Sequence, residues 1–169
     1  MARTTVLLGA AAIACSVAAA APPQPADPVA ADLARDWVDQ KARMIALAEA
    51  MPAERYDFKA TPPQRTFGEQ LAHLAEAHVR MLRPLDPGGR VPAPEIGHPR
   101  TREAVIAAVA AAYDYGRQVI EAASPSTERA GERTRARAVW AAMNNAMNHY
   151  GQCVVYLRLN GIVPPASRR

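Results

Sequence analysis

Apolar positions divide the chain into four segments of helical periodicity, and none shows the strict alternation of a half-buried strand. From Pro28 to Met51 the apolar residues fall at Val29, Leu33, Trp37, Met44, Leu47 and Ala48, with Asp27 placed as N-cap and Pro28 at the first helical position. Pro52 ends this helix, and "PAERYDFKATPPQR" is too rich in proline and polar residues to be anything but a loop. Thr66 caps the second helix, "FGEQLAHLAEAHVRMLRPL", with Glu69 three residues on in a capping-box arrangement. After the Pro/Gly connection "DPGGRVPAPEIGHPR", Thr101 and Glu103 open the third helix, whose Val105, Ala108, Ala112, Val119 and Ile120 share a face. Beyond "PSTERAGERT" the fourth helix runs from about Arg135 to Asn160, closed by Gly161 with Pro164 and Pro165 following.

Four amphipathic helices without a strand signal or an internal repeat predict an all-α protein, a four-helix bundle over residues 28–166. The connections after the first two helices are longer than tight hairpins need, and they form either a rim around one end of the bundle or a crossover. Length and composition agree: 169 residues suit one domain, half of them are apolar, and that half is mostly Ala, Val, Leu and Met with little aromatic mass.

The first residues stand apart from this pattern. Arg3, an apolar run from Val6 to about Val17 and small residues ending near Ala21 read as a secretory signal peptide over residues 1–20, ahead of a proline-rich spacer at 21–27. The run is too short to span a bilayer comfortably, so no transmembrane segment is expected once it is removed. The protein is therefore expected to be exported, to a periplasmic or extracellular location; a lipid anchor at Cys15 is the alternative, although Ala12 stands where a lipobox usually has Leu. Without the signal only Cys153 remains, which rules out an internal disulfide in the exported domain. The net charge of +4 is spread over arginines from Arg35 to Arg169, and the densest cluster, "ERTRAR", also carries acid. Neither feature is a nucleic-acid stripe, so no nucleic-acid partner is expected.

Candidate chemistry rests on histidines at the edges of the apolar arcs. On the second helix the arc is centred on Phe67, Leu71, Leu74, Leu82 and Leu85; His78 falls inside it, and His73 lies at its edge near Glu69 and Arg80. On the fourth helix the predicted arc is centred on Met143, Tyr150, Val154 and Leu157, with His149 at its edge beside Cys153 and Tyr156. Residues at i and i+4 share a helix face, so His-x-x-x-His can chelate a metal; here that spacing holds Asn145 and His149. Periodicity alone makes His78 a core or interhelical residue and leaves His73 and His149 as boundary residues, which in most helices are simply amphipathic surface.

Two blocks change that weighting. "LAEAMPAERYDFKATPPQRTFGEQLAHLAEAH" (Leu47 to His78) and "NNAMNHYGQCVVYLRLNGIVPPAS" (Asn144 to Ser167) resemble the signature blocks of the DinB-like superfamily of bacterial four-helix bundles. The resemblance implies one divalent metal, such as zinc, nickel, manganese or iron, held by a histidine of the second helix and a His-x-x-x-His pair on the last. Carried onto this chain, the ligands are His73, Asn145 and His149. The asparagine departs from the pattern, and its amide oxygen is a poorer donor than imidazole for zinc or nickel, so affinity is expected to fall. Asn144 has the wrong phase to replace it. Glu69, one turn before His73, is a candidate substitute ligand or simply the capping-box carboxylate, and Tyr150, Gln152 and Cys153 either line the cleft or pack.

Some members of the superfamily resemble metal-dependent thiol S-transferases, in which the ion lowers the pKa of a bound thiol. The expectation is therefore an exported DinB-like protein with a weakened divalent-metal site, acting as a transferase or hydrolase on a small molecule. The alternative is a non-catalytic envelope module for binding or homodimer formation that has lost its metal.

Overall fold

The computed structural model describes residues 27–122 and 127–168; the expected signal peptide, Cys15 and all of the spacer except Asp27 lie outside the described residues. Four helices make up the body: α1 (Pro28–Ala50), α2 (Phe67–Leu82), α3 (Arg102–Glu121) and α4 (Arg135–Leu159). Each begins at a residue whose side chain accepts backbone N–H bonds: Asp27, Thr66, Thr101 and Thr134. At α2 the box is reciprocal, the Glu69 amide donating to Thr66 Oγ1 at 3.1 Å and the Thr66 amide to Glu69 Oε2 at 2.8 Å. Gly161, at φ +72°, takes the left-handed conformation that ends α4.

α2 is shorter than its apolar pattern. It gives way at Leu82 to a 3-10 turn over Arg83–Leu85, because Pro84 has no N–H for the helix and disfavours helical backbone at the residue before it. A short antiparallel hairpin, β1 (Arg129–Ala130) with β2 (Arg133–Thr134), precedes α4 where no strand was expected. Two residues per strand are too few for a period of two to register in the sequence.

Packing determines the topology. α1 packs on α3 and α4, and α2 packs on the same two, so α1 faces α2 across the diagonal of the bundle. α1 and α3 are antiparallel: the Trp37 indole N–H donates to the Tyr113 carbonyl at 2.8 Å, and Arg102 Nη2 reaches the Glu49 carbonyl at 2.9 Å. α1 and α4 run parallel, with Gln40 Nε2 on the Met143 carbonyl at 3.1 Å and Arg55 beside Asn160. α2 opposes α4, since Gln70 donates to Gln152 near one end and His73 meets His149 one turn further on. It follows that α2 and α3 are parallel neighbours.

That relation explains the long second connection. After α2 descends its 16 residues, about 24 Å, the chain must return the same distance before α3 can start at the same end. Residues 83–101 make this return as an extended strap, packing Val91, Ala93 and Ile96 on the core. The first connection, by contrast, spans the diagonal.

Trp37, Met44, Leu47, Phe67, Leu71, Leu74, Leu82, Val109, Tyr113 and Leu157 lie in the core, as does His78, fully buried as predicted. The His78 ring sits 4.8 Å from Trp37 and 4.8 Å from Tyr113. Tyr113 donates its hydroxyl to Gln40 Oε1 at 3.3 Å, so this knot joins α1, α2 and α3 and, through Gln40, α4. On α4 the buried arc differs from the predicted one: Ala142, Ala146, His149, Cys153, Tyr156 and Leu157 face inward, while Met143, Tyr150 and Val154 are only half-buried. Small alanines let α4 lie close to its neighbours, and a wheel weighted by large apolar side chains misses them. Val29, at the free end of α1, is exposed rather than part of the buried face.

Candidate functional site

Antiparallel packing of α2 on α4 sets His73 against His149, with ring centroids 5.4 Å apart in an edge-on arrangement of 61°. His149 is only 7% exposed, so it belongs to the interior face of α4 and not to its boundary; His73 remains half-buried at the surface edge. Burial depresses the basicity of both imidazoles. The charge of Arg65 lowers both further, and His149 also feels His73. Burial therefore favours the neutral form of both rings, the form whose nitrogen lone pair a metal ligand requires.

Asn145 lies one turn before His149 on α4. Its side-chain Oδ1 is buried without a hydrogen-bond partner, and so is His149 Nδ1. Asn144 points to solvent, consistent with its phase. Glu69 does not join the pair: its carboxylate accepts the Thr66 amide, and that bond holds its pKa below the usual range. Among the described residues no three His, Cys, Asp or Glu side chains gather as a metal-binding group. What the structure brings together is two imidazoles, with an unpartnered amide oxygen one helical turn from His149 along α4.

Two imidazoles bound to one tetrahedral ion at about 2.1 Å place their ring centroids roughly 5 to 5.5 Å apart, which the pair matches. An orphaned buried amide oxygen has lost water without gaining a partner, a cost of about 1–3 kcal/mol that a cation would remove. The spacing of the two imidazoles fits a divalent ion, and the Asn145 amide oxygen is an unsatisfied acceptor on the same face of α4.

Around the pair, Gln70 on α2 is buried and donates to Gln152 Oε1, leaving its own Oε1 unpartnered. Cys153 is fully buried, and burial pushes its thiol up to about 12, so it is a packing residue and not a nucleophile. Tyr150 is half-buried against the core. In front of His73 opens a cleft of about 470 Å³, lined by Arg65, Glu69 and His73 on one side and by His98 and Arg100 of the strap on the other. Sequence reasoning missed Gln70, Arg65, His98 and Arg100; a lone histidine in a Pro/Gly connection was the one available signal, and only the return path of the strap gives it meaning.

No curated protein matches the chain. A family model described as the DinB superfamily matches residues 36–153, well over half of the 169-residue chain. That span begins in α1, takes in all of α2 and α3, and reaches past Asn145 and His149 in α4. With the helical bundle of the structure behind it, the match has one meaning: the chain belongs to the DinB superfamily.

Proposed function

We propose that His73, His149 and Asn145 together hold one divalent cation at the floor of the cleft, and that the protein is a metal-dependent transferase or hydrolase of a small molecule. The carrying observation is the facing His73 and His149 rings, 5.4 Å apart, with the unpartnered Asn145 Oδ1 one turn before His149 on the same helix. A bound divalent ion supplies Lewis acidity, lowering the pKa of a thiol or water that reaches it. The chain's own contribution is to favour neutral imidazoles by burial and to shield them on the α4 side, leaving His73 as the face open to the cleft. The same reading has the protein exported after loss of residues 1–20, which N-terminal sequencing of secreted protein tests; an intact Met1, or lipid on Cys15, contradicts it.

The metal reading is tested by elemental analysis of untagged protein and by zinc competition against a chromogenic chelator. Asn145→His keeps the new imidazole on the same helix face and should tighten zinc by more than about tenfold, roughly 1.4 kcal/mol, while His149→Ala should abolish binding. A smaller gain with the fold intact contradicts the three-ligand site.

The second reading, a non-catalytic module, is favoured by a different observation. Trp140, Met147, Val155 and Leu159 form an exposed apolar stripe along the outward face of α4. Zinc-free protein that is dimeric in solution would support this reading over the first.

A further inference from the structure

The cleft in front of His73 is assembled from three places in the chain: the end of the first connection with Arg65, the outer face of α2 with Glu69, His73 and Glu76, and the strap with His98 and Arg100. At about 470 Å³ it is the size of a small-molecule site. Its formal charges of both signs balance, but their partners do not. Glu69 accepts the Thr66 amide at 2.8 Å and feels the charge of Arg65, and Glu76 lies 3.9 Å from His98 Nδ1, an ion pair only when that imidazole is protonated. The guanidinium groups of Arg65 and Arg100 make no hydrogen bond or ion pair among the described residues.

Arg65 is also held in place. The Tyr156 hydroxyl donates to the Arg65 carbonyl at 2.6 Å, anchoring that residue's backbone to α4 and leaving its side chain free at the cleft wall. Its charge is felt at both His73 and His149. Across the opening, the strap presents Arg100 immediately before the cap of α3, a position fixed by the Thr101 hydroxyl, which accepts the Ala104 amide at 3.2 Å. Two anchored backbones thus carry two unpaired guanidinium groups into one opening, a pattern that suits bidentate capture of an oxyanion.

We propose that this cleft binds a small molecule bearing carboxylate or phosphate groups, with Arg65 and Arg100 as its anion-binding residues and the uncharged remainder directed toward His73. This rests on the cleft being the mouth of the site proposed above, but it does not require the metal to be present.

The test uses metal-free full-length mature protein, with malonate and inorganic phosphate as probes, followed by amide chemical shifts in NMR. Saturable shifts are expected at Ala72, His73, Gly97 and Arg100, and the two probes separate carboxylate from phosphate preference. Arg65→Gln and Arg100→Gln should each weaken the better probe at least fivefold. Arg43→Gln, which removes the same charge from an exposed site on α1, should change it less than twofold. His149→Ala, which removes a metal ligand, should leave anion binding within about twofold, so loss of zinc binding and loss of anion binding are told apart. Wild-type affinity in both arginine variants, an equal loss in Arg43→Gln, or shifts confined to other surfaces would overturn the proposal.

Discussion

Replacing glycine by alanine in a helix interior ordinarily stabilises by roughly 1 kcal/mol, because alanine loses less backbone freedom on folding. Two glycines of this bundle should respond with opposite signs. At Gly151, on the outward face of α4, an added Cβ meets nothing within 4 Å, so the full gain of about 0.5–1 kcal/mol is expected. At Gly116 on α3 the same Cβ would stand 2.4 Å from Trp37 Cζ2, 2.7 Å from Trp37 Cε2 and 2.8 Å from Leu82 Cδ1. Trp37 has no room to retreat. Its indole N–H is bonded to the Tyr113 carbonyl at 2.8 Å, and its ring packs at 4.8 Å on His78 and 5.0 Å on Tyr113. Overpacking of this kind costs about 1–3 kcal/mol, and with two contact partners the upper part of that range applies, leaving Gly116→Ala net destabilised by about 1–2 kcal/mol after the propensity gain. The two variants should therefore differ by about 2–3 kcal/mol. Urea unfolding followed by far-UV circular dichroism reads this directly as a shift in midpoint at unchanged m. A Gly116→Ala protein as stable as wild type refutes the close α1–α3 approach, whereas a destabilised Gly151→Ala would mean that the outward face of α4 is covered in solution.

Two further outcomes are expected. His78 is buried with neither ring nitrogen in a complete hydrogen bond, and burial, opposed by the nearby Ala142 carbonyl, holds its pKa at about 3. The folded value lies below the unfolded one, so between about pH 6.5 and 3 the unfolded chain carries the extra proton; stability from this source is complete above that window and falls with pH by up to about 1.4 kcal/mol per unit. The acid limb of wild type minus His78→Leu should show that slope, and parallel limbs would refute it. Tyr156→Phe removes the hydroxyl bond to the Arg65 carbonyl; about 1 kcal/mol of stability should be lost, with faster hydrogen exchange in the 61–65 loop, and unchanged exchange there would show that the loop is held by other contacts.

The parts of this molecule that could be read in the sequence are those governed by local chemistry. Caps at Asp27, Thr66 and Thr101, the Gly161 terminus and the core position of His78 all follow from residue type and helical phase. The interior face of α4 did not, because Ala142, Ala146 and His149 contribute little to a hydrophobic pattern and become interior only when α2 arrives against them. Glu69 satisfied two sequence patterns at once, cap and ligand, and the shorter-range one prevailed: the capping bond closes within one helical turn, while a metal site needs α2 and α4, far apart in sequence, to meet. The cleft was invisible for a related reason. Its Arg65, His73 and Arg100 lie on three segments, and nothing in their local spacing announces that the strap will carry the last of them back alongside α2.

The diagonal placement of α1 and α2 bears on how the chain acquires this structure. In an ordinary helical hairpin two successive helices bury one another, and a partial chain already has something to hold on to. Here the ties that close the bundle join residues far apart: Trp37 to Tyr113 across 76 positions and Gln40 to Met143 across 103. Successive α1 and α2 do not form a packed pair, and α2 meets α3 only after the strap has retraced the length of the bundle. Until α4 emerges during synthesis, α1 and α2 each lack one of their two neighbours, and the His73 side of α2 has nothing to face. The α4-facing sides of α1 and α2 are thereby completed only by the last helix, so a nascent or truncated chain ending before Arg135 should keep the Trp37–His78–Tyr113 cluster of α1, α2 and α3 but leave the His73 side of α2 open to proteases.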